Sequence, residues 1–132
     1  MILQWIALLF LASSPVISPI ADVQASPLSW SGEASYYSRK GCLGCSKNMI
    51  MANGQALDDS RLTIAMPTGV VRKYKLLNTR VTVRNITTGD RVSAIVTDTG
   101  GFAKYGRVAD LSVAVKRAVR CGDLCQVEIV AE

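Results

Sequence analysis

"TRVTVRN" at 79–85 alternates apolar and polar residues with a period of two, the signature of a half-buried strand. "RVSAIVTD" at 91–98 is a second clear strand, and "QVEIVA" at 126–131 is a third that alternates again. The first two flank "ITTGD", a glycine turn, and read as a hairpin or as near neighbours. "LTIAM" at 62–66 is a fourth strand, stopped by Pro67, and "SGEASYY" at 31–37 is a fifth. "PTGVVRKYKLL" at 67–77 reads as a turn followed by another strand. One segment has helical spacing: in "DLSVAVKRAVR" at 110–120, Leu111, Val115 and Ala118 share a face, and Asp110 or Ser112 can cap its start. The segment at 38–60 reads as loop, turning at Asn53-Gly54. Many short strands, frequent glycine turns and one short helix predict a mainly β fold, a small barrel.

The N-terminus departs from this pattern. The apolar run Ile6 to Ala12 is too short to span a bilayer, and Val23-Gln24-Ala25 has the small-x-small character of a signal-peptidase site. The expected organisation is a signal peptide at 1–25, a linker at 26–31 and one domain at 32–132. Removing 25 of the 132 residues leaves 107, enough for one modest core. No cysteine lies near the cut to carry a lipid, so a secreted monomer, periplasmic or extracellular and without a stable membrane anchor, is the expectation.

Cysteines add cross-links to this picture. They form two clusters, Cys42 with Cys45 and Cys121 with Cys125. An even number in an exported chain favours two disulfides, with all three pairings open. A bridge between the clusters would close a loop of roughly eighty residues and contribute about 4 kcal/mol. The rival is a four-cysteine zinc site. Met49, Met51 and Met66 read as packing residues rather than ligands, and neither metal nor cofactor is expected.

Net charge is +5, and loss of Asp22 with the leader takes it to +6. The basic residues are dispersed, which suits an anionic polymer. No nucleic-acid-binding signature is present, so anionic cell-wall polysaccharide is the better partner.

The chemistry gathers in "TDTGGFAKYGRVADLS" at 97–112. Asp98 ends an apolar strand beside a glycine loop. There it either closes an Asx turn or projects into a groove as a proton carrier or sugar ligand. Thr97 and Thr99 flank it with hydroxyls that could orient it or a sugar. Asp110 either caps the helix or binds a hydroxyl. Tyr36 and Tyr37 point to opposite faces of their strand, so one of them can line a given groove. Glu33 is a further acid, Trp30 an edge-packing residue, and Asn85-Ile86-Thr87 a glycosylation sequon that matters under eukaryotic export.

In order, "GEASYYS", "MANGQALD", "LTIAM", "TGVVRKY", "VTVRNITTGDRVSAIVTDTGGF" and "GRVADLS" resemble the rare lipoprotein A (RlpA) family, over about Gly32 to Val130. Its wider group includes expansins, barwin-like proteins and small secreted inhibitors. The resemblance implies a six-stranded double-psi β-barrel with one short helix. It also implies action on peptidoglycan, in some members as lytic transglycosylases of strands stripped of stem peptides. Asp98 matches the family's catalytic aspartate, although Thr99 replaces the arginine that follows it. Asp110 matches the aspartate that expansins use on wall polymers. The family's glutamate falls on Gln55, which can bond a sugar but not transfer its proton, and its histidine falls on Met66. The chain has no histidine at all. Three functions follow from the resemblance: a transglycosylase using Asp98 as acid and base, a wall polysaccharide binder or loosener without catalysis, and a secreted inhibitor.

Overall fold

A computed structural model describes residues 27–41 and 48–132. The expected signal peptide and the Cys42–Cys45 cluster lie outside the described residues. Six strands are present: β1 (Ser29–Tyr36), β2 (Thr63–Pro67), β3 (Arg80–Asn85), β4 (Arg91–Gly100), β5 (Arg107–Leu111) and β6 (Cys125–Ala131). Two short helices, α1 (Thr68–Tyr74) and α2 (Val113–Ala118), and a 3-10 turn at Phe102–Tyr105 complete the described residues.

The strands close into a barrel in the order β1-β5-β2-β4-β3-β6. β6 returns to β1, so no strand edge is left open. β3 and β4 form the hairpin read from their alternation. β1 with β5 and β2 with β4 run parallel, which requires long crossovers. The core follows the period-two pattern: Val81 and Val83, Ala94 and Val96, and Val127 and Ile129 fill the interior with Ile64, Met66 and Leu111. Trp30 lies within β1 and packs edge-on against Tyr74, with ring centroids 5.4 Å apart.

Two local readings change. The segment after Pro67 is the helix α1, not a strand. Val71 is buried, Val70, Tyr74 and Leu77 pack on the barrel, and Lys75 stops the helix at φ 53°. Valine's strand preference is context-dependent, and here burial of a three-and-four spaced face outweighs it. Asp110 does not cap α2. It sits inside β5, a strand too short to announce itself, and Ser112 is the cap. The buried Ser112 Oγ accepts from Val115 N at 3.2 Å and donates to the Arg61 carbonyl at 2.8 Å. Ser112→Ala is therefore expected to cost about 1 kcal/mol in chemical denaturation, since Val115 N loses its cap while the Arg61 carbonyl keeps its bond from Thr63 N.

The disulfide reading resolves within one cluster. Cys121 and Cys125 are bonded to each other across a sequence separation of 4. A bridge between the clusters through either residue is thereby excluded, and so is a four-thiolate zinc site. On chain entropy such a short loop contributes about 2 kcal/mol rather than 4. The sequon asparagine is built into the core. Asn85 is 2% exposed. Its Nδ2 donates to the Val119 carbonyl at 2.9 Å and its Oδ1 accepts from Thr87 N at 3.0 Å, so the folded domain leaves no room for a glycan there.

Candidate functional site

A β-bulge and one register row build the site. Along β2 and β4 the pairing runs Ile64 with Val96, then Ala65 with Asp98, leaving Thr97 as the extra residue. A bulge of this kind redirects the side chains beside it. Thr97 donates to Met51 Sδ at 3.1 Å, and Asp98 Oδ1 accepts from Ala52 N at 2.9 Å, so both reach the same 51–52 segment. On its other side β2 pairs Ala65 with Asp110 of β5. β1 extends the row by pairing Ser35 with Asp110. Ser35, Asp110, Ala65 and Asp98 thus lie side by side across four strands. Neighbouring strands are about 4.8 Å apart, which puts the two aspartate backbones about 10 Å from each other. Between them stands only the methyl group of Ala65.

Above this row opens a cleft of about 770 Å³. Asp98, Asp110, Tyr37 and Thr99 line it, joined by Lys104, Tyr105 and Arg107. Beneath lies a second apolar cluster, separate from the barrel interior, of Tyr37, Met51, Leu57, Ala65 and Phe102. A Cβ at Gly100 would come within 2.5 Å of the Phe102 ring, so any other residue there would force the ring to move.

Each carboxylate is anchored by one oxygen. Asp98 Oδ1 accepts a second bond, from Thr99 N at 2.9 Å, while no described residue bonds its Oδ2. Asp110 Oδ1 accepts from the Ser35 hydroxyl. Ser35 Oγ in turn accepts from Arg107 Nη1 at 3.3 Å, and Arg107 Nε lies 3.7 Å from Glu33 Oε1. The acid at Glu33 is thus spent on steadying Arg107. Tyr37 Oη shares a 2.8 Å hydrogen bond with Thr63 Oγ1. Burial pushes its phenol up to about 12; the Thr63 bond opposes the shift, and the charges of Asp98 and Asp110 add to it. With the folded pKa above the unfolded one, this stabilisation is complete below about pH 10 and is lost as pH rises to 12. A shift of that size corresponds to about 2–3 kcal/mol. The thermal midpoint should fall across that window, and Tyr37→Phe should remove Tyr37's contribution to the fall.

Not every expected site residue reaches the cleft. Tyr37, Thr99, Asp98 and Asp110 do. Tyr36 lies beside α2, with Lys116 Nζ 4.8 Å from its ring centroid. Gln55 lines a different pocket, with Arg39 and Arg61. Thr97 is buried against Met51. Met66, where the resemblance placed a histidine, is sealed inside the barrel. Tyr105, which the sequence does not single out, also lines the cleft, from the glycine loop between the two aspartates. The residue is 66% exposed, with Lys104 Nζ 5.1 Å and Arg107 Cζ 5.9 Å from the ring centroid. An aromatic so placed can stack on a sugar face.

The barrel has counterparts among solved structures. Expansin from Clavibacter michiganensis matches with a TM-score of 0.57 at 22% identity, over 80% of this chain and 50% of that one. A single-residue variant of that expansin, in complex with cellohexaose, matches with a TM-score of 0.57 at 21% identity over the same shares. The fold is an expansin-like double-psi β-barrel. A Streptomyces papain inhibitor carries the same barrel, with a TM-score of 0.56 at 16% identity over 80% of this chain and 96% of its own. The chain spans half the length of the expansins it matches. No family model and no curated relative matches it. Among the described residues, no group of three or more potential ligand side chains is placed to hold a metal ion, and no helix is long and apolar enough to cross a membrane.

Proposed function

We propose that this expansin-like barrel is an exported binder of cell-wall glycan, with peptidoglycan strands or another anionic wall polysaccharide seated between Asp98 and Asp110. The observation that carries this reading is the row in which those two carboxylates flank Ala65 on the floor of one open cleft. Each keeps an oxygen free of protein hydrogen bonds among the described residues and can accept from a sugar hydroxyl. Tyr105 supplies a stacking surface, and Lys104 and Arg107 offset the negative charge of the aspartates. An expansin of the same fold is in complex with cellohexaose. The Cys121–Cys125 disulfide suits an oxidising compartment, and the +5 net charge suits an anionic polymer.

Cleavage is the second reading, favoured by the free Oδ2 of Asp98. As acid, Asp98 would protonate the glycosidic oxygen while the muramic C6 hydroxyl attacks C1. The same carboxylate then takes that hydroxyl's proton, giving a 1,6-anhydro end without consuming water. Against this, Gln55 lies in another pocket and Met66 inside the barrel, so two supporting groups are missing from the cleft. Losses of that kind cost on the order of 10²-fold or more in rate.

Incubation with denuded glycan strands separates the readings. Binding without cleavage gives pelleting with the strands, weakened in Asp110→Ala, and no anhydro-muramyl ends by mass spectrometry. Anhydro ends that vanish in Asp98→Asn would establish the enzyme instead. Failure to pellet would remove both and leave an inhibitor-like barrel.

A further inference from the structure

A second groove, of about 450 Å³, meets the cleft at its Asp98 end. The two share Ala52 and Thr99 as common walls. These are the two residues whose backbone N–H groups hold Asp98 Oδ1. Asp98 therefore stands beside the wall that the two share. The character of the wall changes there. No acidic side chain lines the second groove; Arg72 and Lys75 line it, over an apolar floor of Val71 and Leu77. The described ion pairs use Arg80, Arg84, Arg107 and Arg120, so neither Arg72 nor Lys75 has an acidic partner among the described residues. A basic residue at the C-terminal end of a helix is ordinary, which accounts for Arg72. Lys75 lies beyond the last turn, yet its left-handed backbone still leaves it on the groove.

We propose that Arg72 and Lys75 form an anion subsite that takes a carboxylate borne by a sugar neighbouring the one held at Asp98. This rests on the glycan reading above, which already takes an anionic polymer, and adds to it the residues that meet the polymer's carboxylates. The cleft supplies hydroxyl acceptors, and the adjoining groove supplies the countercharge for the acidic substituent. Charge-assisted contacts of this kind weaken with ionic strength.

The test compares denuded glycan strands with the same strands after their carboxylates are converted to amides. The wild-type protein should bind the carboxylated strands about tenfold more tightly at low salt, as expected for two exposed ionic contacts. Arg72→Gln combined with Lys75→Gln should bind both forms equally, at the level of the amidated strands. Arg91→Gln combined with Arg117→Gln removes the same charge away from the groove and should keep the preference. The subsite is overturned if wild type is indifferent to amidation while still binding, or if the Arg72/Lys75 variant keeps the preference. It is equally overturned if the Arg91/Arg117 variant loses the preference, since net charge would then explain it. If neither form binds wild type, the glycan reading fails and takes the subsite with it.

Discussion

Asp98→Asn is expected to lower affinity for glycan strands by at least about tenfold, with a thermal midpoint within about 2 °C of wild type. The asymmetry follows from how the two oxygens are used. Oδ1 accepts from Ala52 N and Thr99 N, and an asparagine Oδ1 can keep both bonds. What is lost is the charge and the second acceptor that would meet the sugar. Asp98→Ala is the informative contrast. It removes the acceptor of two backbone donors that are exposed or half-buried, so it should lose affinity and also about 1 kcal/mol of stability. Equal binding by wild type and Asp98→Asn would show that the carboxylate is a turn residue and nothing more.

The largest stability effect is expected in the strand that separates the two aspartates. Ile64 is fully buried in the barrel interior, and its register partners are Val96 on one side and Leu111 on the other. Ile64→Ala should cost about 3–4 kcal/mol, the lost transfer energy plus the cavity left behind. That is a large share of the stability of a domain this size and should lower the thermal midpoint by about 15 °C. Affinity measured well below the midpoint should change little, because Ile64 faces the interior and Ala65 the cleft. A loss below about 1 kcal/mol would mean that β2 is not the packed centre of a closed barrel.

Much of the fold is legible because its signals are local. Val81 and Val83, and Val127 and Ile129, are each separated by a polar residue, 91–98 is a strongly apolar run, and the glycine turn between β3 and β4 fixes their pairing. What escapes the sequence is non-local or locally ambiguous. Five residues of β5 contain an Asp and precede a Ser, which looks like the start of a helix until β1 and β2 claim them as a strand. α1 carries two adjacent valines, Val70 and Val71, and looks extended until its face packs on the barrel. The candidate site divides the same way. Asp98 is visible as a carboxylate at a strand end. That it shares a cleft with Asp110 depends on β2 lying between β4 and β5, and nothing local encodes that order. The bulge that buries Thr97 is equally silent in the sequence, because it exists only relative to the partner strand. Tyr105 stands in the loop between the two aspartates, but its place on the cleft depends on the 3-10 turn at Phe102–Tyr105, which the glycine loop does not announce.

The most direct test of a glycan seat over Ala65 is a crystal structure of the protein with a short denuded glycan oligomer. The oligomer should cross the Ala65 methyl with hydroxyls on both Asp98 and Asp110 and a sugar face against Tyr105. An oligomer bound elsewhere on the barrel, with both carboxylates facing solvent, would contradict the account.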